Sequence, residues 1–268
     1  MLGWMDRLLT PVPLHLREMG YVRELWGIRQ RWNEFRPHWK QHTDRTRAVI
    51  LQGMARCRRR RKAVVLGSGW LHDVPAQELC DAFARVVFVD LVHPWSVRWR
   101  ARRWRNASFL AEDVSGVSLV AWQCVEKRGT PLPPSHPSLF LDDPDLDFVA
   151  SVNLLSQLPC MPAWYLRKHR HPESQIEPWC RQVVEAHLAY LRRLPGTVCF
   201  VGDTEAETRT QSGETLSRRS TLHGAAFPWE GERWEWRIIP RKDKHPHAAE
   251  VLHVVGVPDL KELWAGTA

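Results

Sequence analysis

Two glycines and one aspartate are the residues in this sequence whose types and spacing most clearly suggest chemistry. Gly67 and Gly69 flank Ser68 directly after a short apolar run, and Asp90 closes the next apolar run. Glycine accepts positive φ angles and has no side chain, so a turn of this kind lets the backbone approach a ligand closely. An acidic side chain about 20 residues after such glycines is placed to accept hydrogen bonds from a ribose. The pattern predicts a nucleotide-type ligand.

Further polar side chains follow the glycine turn or the predicted strands. His72 follows the glycines, His93 follows Asp90, and Asn153 ends a later apolar run. Imidazole can accept a proton near neutral pH, so both histidines are candidate catalytic residues together with Asn153. For each histidine, a hydrogen bond to the backbone is the structural alternative, and both interpretations stay open.

The elements that must position these residues alternate along the chain. Apolar runs at 64–66, 86–89, 148–155 and 196–201 are typical of buried strands, and residues 178–194 have helical spacing. Two further strands, WEWRIIP and AEVLHVVGV, are expected to pair near the C-terminus. This order predicts an α/β fold with a mostly parallel, doubly wound sheet and one antiparallel strand near the C-terminus.

The first 62 residues are predicted to form a helical extension in front of a Rossmann-like domain at 63–268. Apolar side chains recur at helical spacing over 12–36, and a second helix is expected from Pro37 to Arg58. We interpret the apolar side of these helices as a cap packed on the domain. Weak association with a membrane surface stays open as the alternative.

Composition argues against several classes of protein. The net charge is +8, but the sequence also has 15 Trp against 3 Tyr, a bias typical of GC-rich coding. Nucleic-acid binding is therefore possible and not favoured. The six cysteines are scattered, no apolar run reaches the length of a membrane span, and no secretory signal is evident, which predicts a cytoplasmic protein with free thiols. No metal site is predicted from the loop histidines His169, His171, His245 and His247.

The order of elements from 63 to 258 resembles that of the class I methyltransferases that use S-adenosylmethionine. The resemblance implies seven strands and S-adenosylmethionine as cofactor. It implies that Gly67, Ser68 and Gly69 hold the methionine end and that Asp90 binds the ribose. It also implies that Asp113 lies near the adenine amine and that the strand end at Ser151 and Asn153 lies beside the methyl group. An acceptor site would form from the Asn153 turn, the helical cap and the polar segment 203–228.

The family pattern is incomplete in this chain, which leaves alternatives for function. Val65 stands where the family usually has an acid, and Leu71 stands where it has a third glycine. The segment Asn153-Leu154-Leu155-Ser156 differs from the Asn/Asp-Pro-Pro-aromatic tetrad of amine-methylating members, which favours a small-molecule acceptor, at oxygen or another centre. The main alternative is a catalytically inactive protein of this fold with a binding or regulatory role. A nucleic-acid methyltransferase and a dehydrogenase-type nucleotide fold are less favoured.

Overall fold

The structure is a computed structural model that describes residues 3–126, 131–239 and 248–265. Within these residues the strands form one sheet in the order β3-β2-β1-β4-β5-β8-β7, with β6 beside β5. The strands are β1 (Lys62–Leu66), β2 (Arg85–Asp90), β3 (Ala107–Ala111), β4 (Leu146–Val152), β5 (Thr197–Thr210), β6 (Thr215–Ser220), β7 (Glu232–Ile239) and β8 (Ala248–Val257).

The strand directions confirm the predicted fold class. Strands β1 to β5 pair in parallel, whereas β8 lies antiparallel between β5 and β7. Sheets with parallel pairs need crossover connections, and helices supply them here on both faces. The paired C-terminal strands were predicted, and the segment between them, 240–247, lies outside the described residues.

One part of the sheet was not predicted. Strand β5 continues to Thr210 and turns back as β6, where the sequence suggested only a polar segment. Every residue of β6 is exposed, so no apolar alternation marks it as a strand. Side-chain contacts instead join β6 to β5, between Arg218 and Glu205 and between the Thr215 hydroxyl and Glu207.

Helices cover both faces of the sheet. They are α1 (Gly3–Leu9), α2 (Leu14–Glu18), α3 (Tyr21–Arg56), α4 (Ala76–Ala82), α5 (Trp95–Arg100), α6 (Ser118–Glu126), α7 (Cys160–Lys168), α8 (Glu173–Arg193) and α9 (Leu260–Ala265). Helices α3 and α4 share one apolar core with Val65 and Phe88, whereas α8 and α9 share the opposite core with Val64 and Val89. In the described part of the chain, no helix combines the length and apolar character needed to cross a membrane.

Helix α3 is longer than predicted. The expected boundary at Pro37 is a kink instead of an interruption, with Phe35 at φ −111° and ψ 15° inside a 36-residue helix. Proline lacks an N–H and its ring crowds the preceding turn, which bends the helix there. Beyond the kink, Trp39 packs edge-on against Trp236 at 4.9 Å and donates a hydrogen bond from Nε1 to the Ile238 carbonyl at 3.0 Å. The second half of α3 is thereby fixed on β7.

Gly53 sets how closely α3 approaches the sheet, which gives a test of this packing. A Cβ at Gly53 would lie 2.4 Å from the Pro258 carbonyl oxygen and 3.1 Å from Cys199 Cβ. We expect Gly53→Ala to lower the free energy of unfolding by about 1–3 kcal/mol, because backbone must move to admit the methyl group. Denaturant unfolding measures the change.

The matched control is Gly27→Ala in the same helix. A Cβ there would meet only the Arg31 side chain, at 3.3 Å or more. The higher helix propensity of alanine should then raise the free energy of unfolding by up to about 1 kcal/mol. Equal effects of the two substitutions would contradict close packing at Gly53.

Candidate functional site

The glycine turn lies at the carboxyl end of β1, between β2 and β4. Strand order reverses at this point, and in open α/β sheets ligands bind in the crevice that such a reversal creates. Gly67 and Gly69 have φ angles of +78° and +46°. Leu71 has φ +59°, so it takes the left-handed conformation that the missing third glycine would have favoured. The departure at Leu71 therefore leaves the shape of the turn intact.

The two glycines are required for different reasons. A Cβ on Gly67 would lie 2.6 Å from the Val152 carbonyl oxygen, so this glycine lets the turn pack against β4. A Cβ on Gly69 would have one heavy-atom neighbour within 4 Å among the described residues, Asp90 Oδ2 at 3.9 Å. The space beside Gly69 is open, as a cradle for a ligand requires.

Asp90 holds the glycine turn in place, and we call the turn Gly67-Ser68-Gly69 together with Asp90 the cradle. The Gly69 N–H donates to Asp90 Oδ2 at 2.7 Å, and the Leu91 N–H donates to Oδ1 at 2.8 Å. Burial raises the pKa of Asp90, while the charge of nearby His93 and these backbone N–H groups act in the opposite direction. A carboxylate offers about four lone-pair positions, so Asp90 keeps acceptor capacity for hydroxyl groups. The Ser68 Oγ in the same turn is buried without a hydrogen-bond partner in the described structure.

Asp113 lies beyond β3 and holds the start of α6. Its Oδ1 accepts from the Ser115 backbone at 3.0 Å and hydroxyl at 2.6 Å, and its Oδ2 accepts from the Ser118 N–H at 2.8 Å and from the Ser118 hydroxyl. Tyr21, at the start of α3, is close to this carboxylate. Burial raises the pKa of Tyr21, and the charges of Asp113 and Asp90 raise it further. The N-terminal helices thus reach the edge of the cradle.

Asn153 ends β4 and is the centre of a polar chain. Its φ is +47°, and its backbone N–H donates to the Val201 carbonyl at 2.7 Å. Its Nδ2 donates to Asp73 Oδ2 at 2.7 Å and lies 3.1 Å from His42 Nε2. The Trp234 Nε1–H donates to His42 Nδ1 at 3.1 Å. Trp234, His42, Asn153 and Asp73 therefore link β7, α3, β4 and the glycine loop.

The hydrogen bond from Trp234 determines which ring nitrogen of His42 carries the proton. An indole N–H is only a donor, so His42 Nδ1 must be an acceptor and Nε2 carries the hydrogen. Burial lowers the pKa of His42 to about 3, which keeps the ring neutral. The His42 Nε2–H is then a donor, so the Asn153 amide can satisfy it only with the amide oxygen turned toward Nε2. Burial raises the pKa of Asp73, while the hydrogen bond from Asn153 and the charge of Arg47 act in the opposite direction.

The other predicted site residues lie apart from this chain. Ser151 is fully buried, and its hydroxyl contacts His187 Nε2 at 3.2 Å. His93 is also buried and donates from Nε2 to the Leu110 carbonyl at 2.9 Å, the structural contact anticipated as its alternative. His72 stacks on Trp32 at 4.1 Å and lines a groove between α3 and α4. The structure thus gathers Gly67, Ser68, Gly69, Asp90 and Asn153 at the strand ends.

Two residues of the site were missed from the sequence. His42 lies three residues after Trp39 on the apolar side of α3, so the helical spacing could have marked it as an inward-facing polar residue. Tyr21 gave no such signal, because its position depends on how α3 crosses the sheet.

Within the described residues, no group of three or more His, Cys, Asp or Glu is placed to hold a metal ion.

Comparison with known proteins finds similarity in structure alone. No protein-family model and no curated protein matches the sequence. The DhpI–SAM–HEP complex is 15% identical, covering 91% of this chain and 99% of that chain with a TM-score of 0.36. A Burkholderia thailandensis 1,6-didemethyltoxoflavin-N1-methyltransferase with bound 1,6-didemethyltoxoflavin and S-adenosylhomocysteine is 12% identical, covering 92% of each chain with a TM-score of 0.36. Haemonchus contortus phosphoethanolamine N-methyltransferase 1 is 13% identical, covering 86% of this chain and 50% of that chain with a TM-score of 0.33.

The buried, neutral state of His42 predicts a loss of stability in acid. The pKa of His42 is about 3 in the folded protein and near 6.5 in the unfolded chain. The unfolded chain therefore binds the extra proton below pH 6.5, and stability falls as the pH decreases from 6.5 toward 3. Between pH 7.5 and 5, His42 should account for about 2 kcal/mol of lost unfolding free energy.

Denaturant unfolding at both pH values tests this prediction. His42→Gln should show an acid-induced loss about 2 kcal/mol smaller than the original protein shows. The control is His38→Gln, at an exposed position of the same helix, which should lose as much as the original protein. An unchanged pH dependence in His42→Gln would show that His42 does not stay neutral in the folded state.

Proposed function

We propose that this chain is an S-adenosylmethionine-dependent methyltransferase that acts on a small-molecule acceptor. The observation that carries the proposal is the contact between the Gly69 N–H and Asp90 at the carboxyl edge of β1 and β2. This contact joins the glycine turn, which has open space beside it, to a carboxylate that can still accept hydrogen bonds. Both lie at the point where the strand order of the sheet reverses. The antiparallel β8 between β5 and β7 supports this class over a dinucleotide-binding dehydrogenase, in keeping with the resemblance described above.

The residues of the cradle suit the parts of this cofactor. Asp90 would accept hydrogen bonds from the ribose hydroxyls, and the backbone of 67–69 would lie against the methionine end. Asp113 would lie near the adenine amine, with its carboxylate already accepting four hydrogen bonds from Ser115 and Ser118. Tyr21 would cover the same edge from the N-terminal extension, residues 1–62. When bound, the cofactor supplies an electrophilic methyl group on a sulfonium sulfur.

The chain's own contribution to methyl transfer would be positioning. In-line transfer depends on how well the nucleophile and the methyl group are aligned, and well-oriented groups gain several orders of magnitude in rate. Asn153 is suited to this because its backbone and side chain are held from three directions. The segment after it, Leu154-Leu155-Ser156, lacks the paired prolines of amine-methylating relatives, which favours an oxygen or another small-molecule centre as the acceptor.

Gly69→Ala tests the cradle without disturbing the packing of the turn. Its methyl group would enter the open space beside Gly69, where the nearest described atom outside the adjoining residues is Asp90 Oδ2 at 3.9 Å. We expect calorimetric affinity for S-adenosylhomocysteine to fall at least about tenfold, which is about 1.4 kcal/mol. The positive φ should cost about 1–2 kcal/mol of folding free energy, so the variant should remain folded.

Asp90→Asn provides a second variant, with Glu112→Gln as the charge-matched control. The introduced amide would keep the shape of the side chain but lose the charge-assisted contacts, and affinity should fall about tenfold or more. Glu112 is exposed beyond the next strand, and its substitution should leave affinity within about twofold. Absence of binding to the original protein, or equal effects of the two substitutions, would refute the cofactor assignment.

A protein that binds the cofactor without turning it over is the second candidate. The observation that favours it is that Ser151, His93 and Asn153 each already form a side-chain hydrogen bond within the protein. A turnover assay with a panel of hydroxylated and nitrogenous small molecules separates the candidates. Release of S-adenosylhomocysteine with any acceptor supports the enzyme, whereas tight binding without release supports the second candidate.

A further inference from the structure

A cationic groove lies outside the cradle, on the face of the sheet covered by α3. Its volume is about 880 Å³, within the usual size range of small-molecule pockets. Helix α3, the start of α4, and α5 with the 3₁₀ turn that follows it form its walls. Five cationic side chains line it: Arg36, Lys40, Arg47, Arg100 and Arg103.

The positive charges of the groove are only partly balanced by acidic side chains. Of its two acidic residues, Asp44 is paired with Lys40, which leaves four arginines facing Glu78. Within the described ranges, none of those four arginines forms an ion pair with a carboxylate. Like charges gathered around a concave surface produce a field that attracts anions.

Three of the arginines are held by contacts that leave their charge available. The Arg36 guanidinium lies 5.6 Å from the Trp32 ring centre, and that of Arg103 lies 4.5 Å from the Trp104 ring centre. Arg47 donates to the His72 carbonyl at 2.9 Å. Stacking and single hydrogen bonds orient a guanidinium while most of its five N–H donors stay unused.

The positive charges of the groove act on His72. Burial, together with the charges of Arg100, Arg29, Arg47 and Arg36, lowers the pKa of His72 to about 3. Its Nε2 is buried without a hydrogen-bond partner in the described part of the chain. Apolar side chains, including Leu71, Val74 and Val97, complete the lining. The surface therefore combines several free cations with apolar walls.

We propose that this groove binds a small phosphorylated organic molecule, with its phosphate groups on the arginines and its ring or carbon body on the apolar wall. An excess of three positive charges matches a di- or triphosphate better than a single carboxylate, because guanidinium groups bind phosphate oxygens in pairs. The groove volume of about 880 Å³ suits a compact ligand, because small-molecule pockets are of this size. The site is separate from the cradle, although Trp70, Leu71 and His72 continue directly from Gly69 and form part of its wall.

ATP and inorganic pyrophosphate are the probes, with adenosine as the uncharged comparison. Calorimetric titrations are made with S-adenosylhomocysteine present in excess, so that an adenosyl group cannot enter the cradle unnoticed. We expect ATP and pyrophosphate to bind and adenosine not to bind. Arg36→Gln combined with Arg100→Gln should weaken ATP binding by about tenfold or more, with an unchanged thermal midpoint.

Two controls make the result specific. Arg58→Gln with Arg59→Gln removes the same charge from an exposed segment outside the groove and should change ATP affinity by less than about twofold. Gly69→Ala should leave ATP binding intact even if it abolishes cofactor binding, so failure of the proposed function and failure of this site are distinguishable. If the arginine pair perturbs folding, Arg103→Gln alone replaces it, with a smaller loss expected.

Four outcomes would overturn the proposal. They are no binding of ATP or pyrophosphate, equal weakening by the groove and control pairs, displacement of ATP by S-adenosylhomocysteine, and binding of a single-stranded RNA 20-mer in place of ATP. The last would show a steep salt dependence, because a polymer releases counterions when its phosphates are neutralised. It would assign the cationic surface to nucleic acid.

Discussion

The close contact of α3 with the sheet is the constraint on which the rest of the structure depends. Gly53 allows the helix backbone to approach the end of β8 and the core of β4 and β5. Further along, His42 stacks on Trp236 with ring centres 3.9 Å apart and an interplanar angle of 5°. One helix thereby places Tyr21 near the two acidic residues of the cradle, His42 beneath Asn153, and Arg36 and Arg47 on the groove.

The packing of α3 on the sheet also places His42 in a series of hydrogen bonds that reaches the end of β4. Trp234 determines which ring nitrogen carries the proton, and burial keeps the ring uncharged. The Asn153 amide also bonds to Asp73, which belongs to the same loop as the glycines. The left-handed conformation of Asn153 is maintained although it is strained for a residue with a side chain. Strain of this kind persists where surrounding contacts determine the geometry, as they do at the end of β4.

Much of the fold and part of the site could be predicted from local patterns. The strands at Val64–Leu66 and Val86–Val89 are apolar runs bounded by glycine or acid, and local spacing is sufficient for such elements. Strand β6 could not be predicted in this way, because its exposed, charged residues carry no burial signal. The Gly69–Asp90 contact follows from the parallel pairing of β1 with β2. The chain from Trp234 to Asp73 does not, since it joins residues that only tertiary packing brings together.

The departures from the family pattern also have a physical explanation. Leu71 keeps the backbone conformation of a glycine, and Val65 belongs to a fully buried core where an acid would be costly. Neither residue removes the open space beside Gly69 or the carboxylate of Asp90. The open space beside Gly69 and the Asp90 carboxylate are therefore both present, even though the sequence of the turn differs from the pattern.

A crystal structure of the protein with S-adenosylhomocysteine would show whether the ligand occupies the glycine turn. We expect the ribose hydroxyls within hydrogen-bond distance of Asp90, with the homocysteine end against the backbone of Gly67, Ser68 and Gly69. Ligand density in the cationic groove alone, or no density at a saturating concentration, would contradict this expectation.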